Sequence, residues 1–545
     1  VAAFGSLNRL DASAQDSTPV PTTGDSDPSD DVTLSQDQVP PTELGPAIPP
    51  EFTDDPTNWP TEHGNLKGTR AAVNSTITSD TVGSLGVAWR VKVDTPGTYG
   101  SLTSTPVVVG DTVYIVDMLS NIWAIDKATG EMKWKTEYNV SLIGPNGLAV
   151  AYGNVYGVLG DSAEVVSLDA ATGTEKWRVK LSNNPSEGID MAPFVYNNIL
   201  YVSTVPGNSL SFYDGGAKGI VYALDVDNGR TLFQWDTTTG GLWGNFRVNS
   251  GGGLWHPPVV DDDGQMYVAV ANAAPWPGNT RFPNASSRPG DNDYAASLVA
   301  LDIDNGRVRW HINVKPHDLF DLDLHLSPVL ADLTINNVDR KVVFASGKLG
   351  VIVAADRETG EELWRVPVGT HKNDNLQQLT DEYVELMPGN LGGVETPMAY
   401  SDGILYAAVL EMPSQYNSTS YALPLFDLTT ASGLVTALDA TTGAIVWQTP
   451  VPTGLFAGAA VANDVVFSGG LDGIVRGFRT DNGEQIFTFQ AASGLNASPS
   501  ISGDYLFVAA AGPLVASSNN EGSTPEVAQE LIALKVGGGS ATPTA

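Results

Sequence analysis

Short runs of alternating apolar and polar residues recur along the chain, and several end in one phrase. An Asp closes the run, a Gly stands four residues on, and a Trp four residues after that. The cleanest copies are Asp126–Gly130–Trp134, Asp169–Gly173–Trp177, Asp302–Gly306–Trp310, Asp356–Gly360–Trp364 and Asp439–Gly443–Trp447. The alternating run predicts a strand with one face buried. The Asp carboxylate can accept backbone N–H groups of a tight turn, and Gly can take the positive φ that closes it. The Trp opens the next strand and carries a large apolar area into the packing between sheets. A fixed phrase repeated every 40 to 80 residues or so is the signature of a repeat architecture.

Degenerate copies fill the gaps. Asp225, Gly229 and Phe233 keep the spacing with Phe for Trp, while Arg479, Gly483 and Phe487 lose the Asp. Ala88-Trp89-Arg90-Val91 reads as an opening strand with no turn before it, and Leu531–Val536 as a last strand with no turn after it. Joining each opening aromatic to the next strand end gives eight units, from Trp89–Asp126 to Phe487–Lys535, each long enough for about four strands. The expected fold is all-β, an eight-bladed β-propeller, with a linear solenoid as the alternative. The propeller is expected over residues 59–536. An extended segment rich in Pro, Ser, Thr and Asp precedes it over 1–58, and a flexible tail follows over 537–545.

Composition narrows the partners. The formal net charge is −34, which argues against nucleic acid or an anionic membrane surface, since both call for clustered Lys and Arg. No apolar run is long enough to span a membrane as a helix. The chain has no cysteine, so disulfides, thiolate metal sites and C-x-x-C-H haem attachment are excluded. The spacer-like segment suggests a body held away from a surface outside the cytoplasm, and it is a candidate attachment point for a protein partner. Sequons at Asn74, Asn139, Asn284, Asn417 and Asn496 fit an exterior location.

Two units are far longer than four strands need, one from Asp225 to Asp302 and one from Asp356 to Asp439. Extra length in a propeller goes into face loops, where sites are built. The first of these and the start of the next unit hold Gly251-Gly252-Gly253-Leu254-Trp255-His256, Asn272-Ala273-Ala274-Pro275-Trp276, Arg288-Pro289-Gly290-Asp291-Asn292 and His317-Asp318-Leu319-Phe320-Asp321-Leu322-Asp323. In an extended strand Asp321 and Asp323 would face the same way. With the amide of Asn272 they would make an oxygen-rich site for a hard cation such as Ca²⁺ or Mg²⁺, and a carboxylate there could serve as general base toward a hydroxyl. The bland alternative is that these acids satisfy turn N–H groups. Trp255, behind three glycines, is either a floor for a flat cofactor or an inter-blade packing residue.

These residues resemble the pyrroloquinoline quinone (PQQ) enzymes, the quinoprotein alcohol dehydrogenases, whose fold is an eight-bladed propeller with tryptophan-docking repeats. The resemblance runs from about residue 60 to residue 536 in its repeats, a feature shared with non-catalytic relatives such as the barrel-assembly scaffold lipoprotein. It is more specific in the two motif-rich units. It implies that Trp255 stacks under PQQ, that Asn272 binds the metal, that Asp321 is the catalytic base and that Lys348, in Gly347-Lys348-Leu349-Gly350, contacts the quinone oxygens. Asp323 falls where lanthanide-using members carry an additional Asp, and Asp214 is the best counterpart of a metal-binding Glu. The departures lie in the first units: no vicinal Cys pair, Thr103 where the family has Glu, and Asn146 where it has Arg.

Two functions stay open on the sequence. One is a dehydrogenase that oxidises a small alcohol or sugar hydroxyl with PQQ and Ca²⁺ or another divalent or lanthanide ion, passing electrons to an external carrier such as a cytochrome or copper protein. The other is a non-catalytic extracytoplasmic scaffold or binding propeller with a degenerate site. A glycan-binding or glycan-cleaving surface protein is a third reading that no motif selects.

Overall fold

The computed structural model describes residues 32–34, 40–97, 99–421, 428–513 and 528–539. The spacer expected over 1–58 lies outside the described residues except at 32–34 and 40–58, and the tail over 537–545 except at 537–539.

Eight antiparallel sheets of four strands form the ring among the described residues, and two of them carry a short fifth strand, Val32–Leu34 in one and the parallel Ala71–Ala72 in the other. Blade 1 runs from Val107–Val109 to Met132–Thr136, and the following blades begin at Ala149, Phe194, Val259, Val329, Ala399 and Ala457. Blade 8 takes three strands from the end of the chain, Ser500–Ser502, Tyr505–Ala510 and Glu530–Val536, and its fourth, Leu85–Lys92, from the beginning. These last two pair antiparallel, Trp89 opposite Ala533 and Lys92 opposite Glu530. That pairing closes the ring and rules out the linear solenoid.

The repeated phrase does what its chemistry predicts. In blade 1, Asp126 Oδ1 accepts the N–H groups of Ala128 and Thr129, and Gly130 donates back to Asp126 O. Each turn is then covered by the aromatic of the preceding blade. A Cβ on Gly360, at φ +72°, would stand 2.7 Å from the Trp310 ring, while the Trp310 indole N–H donates to Arg357 O at 3.0 Å. The same packing recurs round the ring, from Trp89 over Gly130 to Trp447 over Gly483. Phe233, without an N–H, covers Gly306 and keeps only the apolar part. Where the indole is buried, as at Trp89 and Trp447, some 200 Å² at roughly 25 cal/mol/Å² contributes up to about 5 kcal/mol to the joint, and the half-buried Trp134, Trp177, Trp310 and Trp364 contribute less.

The phrase turns all lie at one face of the ring. The loops between second and third strands, and the connections between blades, emerge at the opposite face. Residues 59–76 form an inner girdle on the turn side. Their backbone hydrogen-bonds in succession to Val108, Val150, Val260, Leu330, Tyr400, Val461 and Gly503, touching seven blades. His63 packs its ring against Phe194 of the remaining blade. Arg70, fully buried, donates to the carbonyls of Ala459, Glu62 and Pro499 at 2.7, 2.5 and 2.6 Å. Residues 40–58 lie on the rim of blades 2 and 3. Thr42 donates to Asp225, Leu44 to Asn198, and Glu51 accepts the N–H groups of Tyr152 and Gly153. Val32–Leu34 adds an outer strand to blade 3.

Candidate functional site

The motif-rich loops meet near the axis on the loop face. Asn272 follows the second strand of blade 4, Gln265–Val270, and opens a short ribbon in which Ala273–Ala274 pairs with Ser250–Gly251. Asp318, Asp321 and Asp323 lie on the connection from blade 4 to blade 5, and Lys348 follows the second strand of blade 5, Val338–Ala345. The two blades are braced by Arg288. Its buried guanidinium donates to Asn292, to Pro275 O and to Asp318 O, so it ties the Asn272–Trp276 segment to the aspartate loop. The Arg-Pro-Gly-Asp-Asn motif is therefore a brace.

Asn272 Nδ2 donates to Asp321 Oδ1 at 2.7 Å, and its backbone N–H to Asp323 Oδ1 at 2.6 Å. The Lys348 ammonium lies 2.9 Å from Asp323 Oδ2 and 3.3 Å from Asp321 Oδ2. Tyr213 donates its hydroxyl to Asn272 Oδ1 at 2.9 Å. Burial pushes both carboxyls up and the nearby Lys348 opposes it. Burial also works against the ammonium, but Asp321, Asp323 and Glu395 overturn that and hold it well above the ordinary lysine range. Together these directions describe an ammonium that keeps its proton and a pair of buried carboxylates with too little positive charge between them.

The expected same-face strand is absent. The aspartates sit in a loop, Asp321 takes φ +60°, and the two converge because the chain folds back on itself. Asp318 fits the bland reading: it accepts the N–H groups of Phe320 and Leu322 and shapes the loop. His317 stays outside the cluster, its ring nitrogens against the carbonyls of Gly290 and Asn284. Asp214 is not brought in either. Its carboxylate accepts from Ser186 and Ser211, no hydrogen bond among the described residues links it to Asn272, Asp321 or Asp323, and its neighbour Tyr213 reaches Asn272 instead.

Trp255 is buried in a cluster with Val205 and Ala271, against which Ile143 packs, and its indole N–H has no partner among the described residues. The glycines before it serve packing: a Cβ on Gly252 would stand 2.1 Å from Thr237 Oγ1, and one on Gly253 2.4 Å from Thr204 O. Thr103 and Asn146 sit side by side, with Thr103 Oγ1 donating to Pro145 O at 3.2 Å and the Asn146 Nδ2 unpartnered. Below Lys348 a buried column descends to the girdle. Glu395, pushed up to about 8 by burial, faces His325 at 3.9 Å; the His325 and His256 rings lie 5.7 Å apart; and His256 Nδ1 meets Glu62 at 2.7 Å. Tyr213, Glu395 and His325 carry no motif in the sequence. Only Gly393, where a Cβ would stand 2.2 Å from Lys348 O, hints that the Glu395 segment must run close to Lys348.

A sequence profile described as the glucose/ethanol/alcohol dehydrogenase β-propeller domain matches residues 59–147 and 180–377, more than half of the chain, including Trp255, Asn272, Asp321, Asp323 and Lys348. The chain belongs to this family. A second profile, the outer membrane protein assembly factor BamB, matches residues 425–526. Quinohemoprotein alcohol dehydrogenase ADH-IIG of Pseudomonas putida is 27% identical over 521 residues, covering 82% of this chain and 70% of the relative. The crystal structure of the quinohemoprotein alcohol dehydrogenase of Comamonas testosteroni superposes with a TM-score of 0.76 at 22% identity, covering 90% of this chain and 82% of that one. A europium-containing methanol dehydrogenase superposes at 0.74 and 20%, covering 88% and 98%. At these identities the structures speak for the fold alone. Among the described residues no helix is long and apolar enough to cross a membrane.

Proposed function

We propose that this propeller is an extracytoplasmic quinoprotein dehydrogenase that oxidises a small alcohol or sugar hydroxyl with PQQ and a divalent or lanthanide ion. The observation that carries this reading is the buried Asn272–Asp321–Asp323–Lys348 cluster beside Trp255, within a chain of the alcohol dehydrogenase propeller family. Two carboxylates held out of water with one ammonium cost stability. A scaffold has no use for that cost; a site that takes up a cation does.

The donor set fits both groups. Asn272, Asp321 and Asp323 offer hard oxygen ligands to a cation whose charge would complete the compensation Lys348 begins. Among the described residues no ready-made cage of three or more His, Asp or Glu side chains exists, so the remaining ligands would come from the cofactor, substrate and water. Two buried donors without partners among the described residues, Trp255 Nε1 and, on the loop whose Ile143 packs against the Trp255 cluster, Asn146 Nδ2, suit a flat ligand rich in acceptor oxygens. Such a quinone supplies the two-electron acceptor that no side chain can. In this reading Asp321 takes the hydroxyl proton, Lys348 and Asn272 hold the carboxylate in place, and Trp255 with the Ile143 side chain excludes water. Electrons leave to a carrier outside this propeller, such as a cytochrome or copper protein.

The test is reconstitution of purified protein with PQQ and Ca²⁺ or a lanthanide ion, followed by absorption spectra and dye reduction with small alcohols. Bound quinone and turnover are expected, and no binding under any metal would sink the proposal. In a reconstituted enzyme Asp321→Ala should lower kcat by about 10²- to 10⁴-fold with the fold intact. Unchanged turnover removes Asp321 as the base.

A further inference from the structure

The blade 2 to blade 3 connection holds another buried carboxyl. Asp190 is 1% exposed. Its Oδ1 accepts the N–H groups of Ile143 and Gly144 at 3.0 and 3.1 Å, and its backbone carbonyl accepts from Asn146 N–H at 2.6 Å. The loop so pinned is the one whose Ile143 packs against the Val205–Trp255–Ala271 cluster and whose Asn146 Nδ2 has no partner among the described residues. Asp190 Oδ2 is buried and has no partner among the described residues either. Three buried polar atoms without partners among the described residues, Asp190 Oδ2, Asn146 Nδ2 and Trp255 Nε1, thus lie on segments joined by the Asp190 hydrogen bonds and by the packing of Ile143 against the Val205–Trp255–Ala271 cluster.

Two of these atoms are donors, which suits an anionic ligand; an ionised carboxylate beside them does not. A protonated one does. We infer that Asp190 serves as a carboxylic-acid donor to a carboxylate of the bound quinone cofactor, so that cofactor retention weakens as the pH rises. This rests on the proposed dehydrogenase reading and goes beyond it. Burial pushes Asp190 up to about 7, the two N–H groups pull it down, and Asp161 adds a small upward push. Tyr99 is a further titratable group nearby; burial raises its phenol, and its environment includes Lys348, Glu395, Asp321 and Asp190. Asp190 is protonated below its raised value and donates through Oδ2. Above it, two anions face each other and the hydrogen bond breaks.

Equilibrium dialysis of full-length protein against PQQ at fixed Ca²⁺, from pH 5.5 to 8.5, reads this directly. With one linked proton, Kd should rise by about 30-fold between pH 6 and 8.5. Asp190→Asn keeps an oxygen for Ile143 and Gly144 and turns the other position into a permanent donor, so its Kd should stay flat within about threefold while the thermal midpoint confirms folding. Glu395→Gln, which removes another buried acid that burial pushes up to about 8, should keep the wild-type slope. A flat wild-type profile overturns the inference and leaves the dehydrogenase reading standing. So does an Asp190→Asn variant with the wild-type slope, the result expected if Asp190 only pins its loop. Absence of PQQ binding at every pH overturns both.

Discussion

Replacing Lys348 with Met removes the one ammonium that stands between two buried carboxylates while keeping most of the apolar stem. That ammonium lies 2.9 Å from Asp323 and 3.3 Å from Asp321. At an effective dielectric near 20 each ion pair is worth roughly 5 kcal/mol before desolvation is counted, and breaking a buried pair of this kind costs about 3–5 kcal/mol net. A ring of this size unfolds with an entropy of roughly 2 cal/mol/K per residue, about 1 kcal/mol/K in all, so the thermal midpoint should fall by about 3–5 °C. The two carboxylates then form an uncompensated site for a cation. Added Ca²⁺ at a hundred times its Kd should restore about 2.7 kcal/mol, or some 3 °C, and should raise the midpoint more in Lys348→Met than in wild type. Differential scanning calorimetry with and without Ca²⁺ measures both effects. A variant as stable as wild type without cation, or one that gains no more from Ca²⁺ than wild type does, refutes the account of Lys348 as counter-charge.

Two further outcomes follow from the girdle. Arg70→Met leaves three buried carbonyls without donors and should lower the thermal midpoint by about 4 °C, at roughly 1–2 kcal/mol per orphaned acceptor, whereas Arg90→Met, which loses a surface pair with Glu530 and a contact over the Phe489 ring, should shift it by less than about 1 °C; equal shifts would contradict the girdle's role. Burial depresses His63 to about 4, so its neutral form is the native one, and the unfolded chain binds the extra proton as the pH falls from 6.5 toward 4; urea titrations should show roughly 3 kcal/mol lost across that window, and His63→Gln should flatten it.

The blades were legible because their signal is local. Asp, Gly and Trp at fixed offsets specify a turn and its cover, and Trp310 over Gly360 needs no knowledge of the rest of the ring. The convergence of Asn272, Asp321, Asp323 and Lys348 was legible for a related reason, since each lies in a short motif. What those motifs could not convey is direction. Tyr213 and Asp214 are neighbours, yet the backbone turns the phenol toward Asn272 and leaves the carboxylate with two serines. His317 and Asp321 are four residues apart, and only one points inward. The girdle was invisible because it is made of main-chain hydrogen bonds, which any sequence with the right path can supply. Asp190 and Glu395 gain their chemistry from burial, which no isolated acidic residue announces.

The shared eighth blade has a consequence for how the molecule comes into being. Leu85–Lys92 leaves the ribosome long before Glu530–Val536, the strand it must pair with. The girdle, earlier still, needs strands from seven blades before its hydrogen bonds are complete. Until the last strand arrives the growing stack is an open arc with bare edges at both ends, prone to pairing with the wrong neighbour. Closure is therefore a late and single event. A chain carried unfolded across a membrane would perform it only at its destination, and truncation within Glu530–Val536 would release the first strand of the ring together with the last.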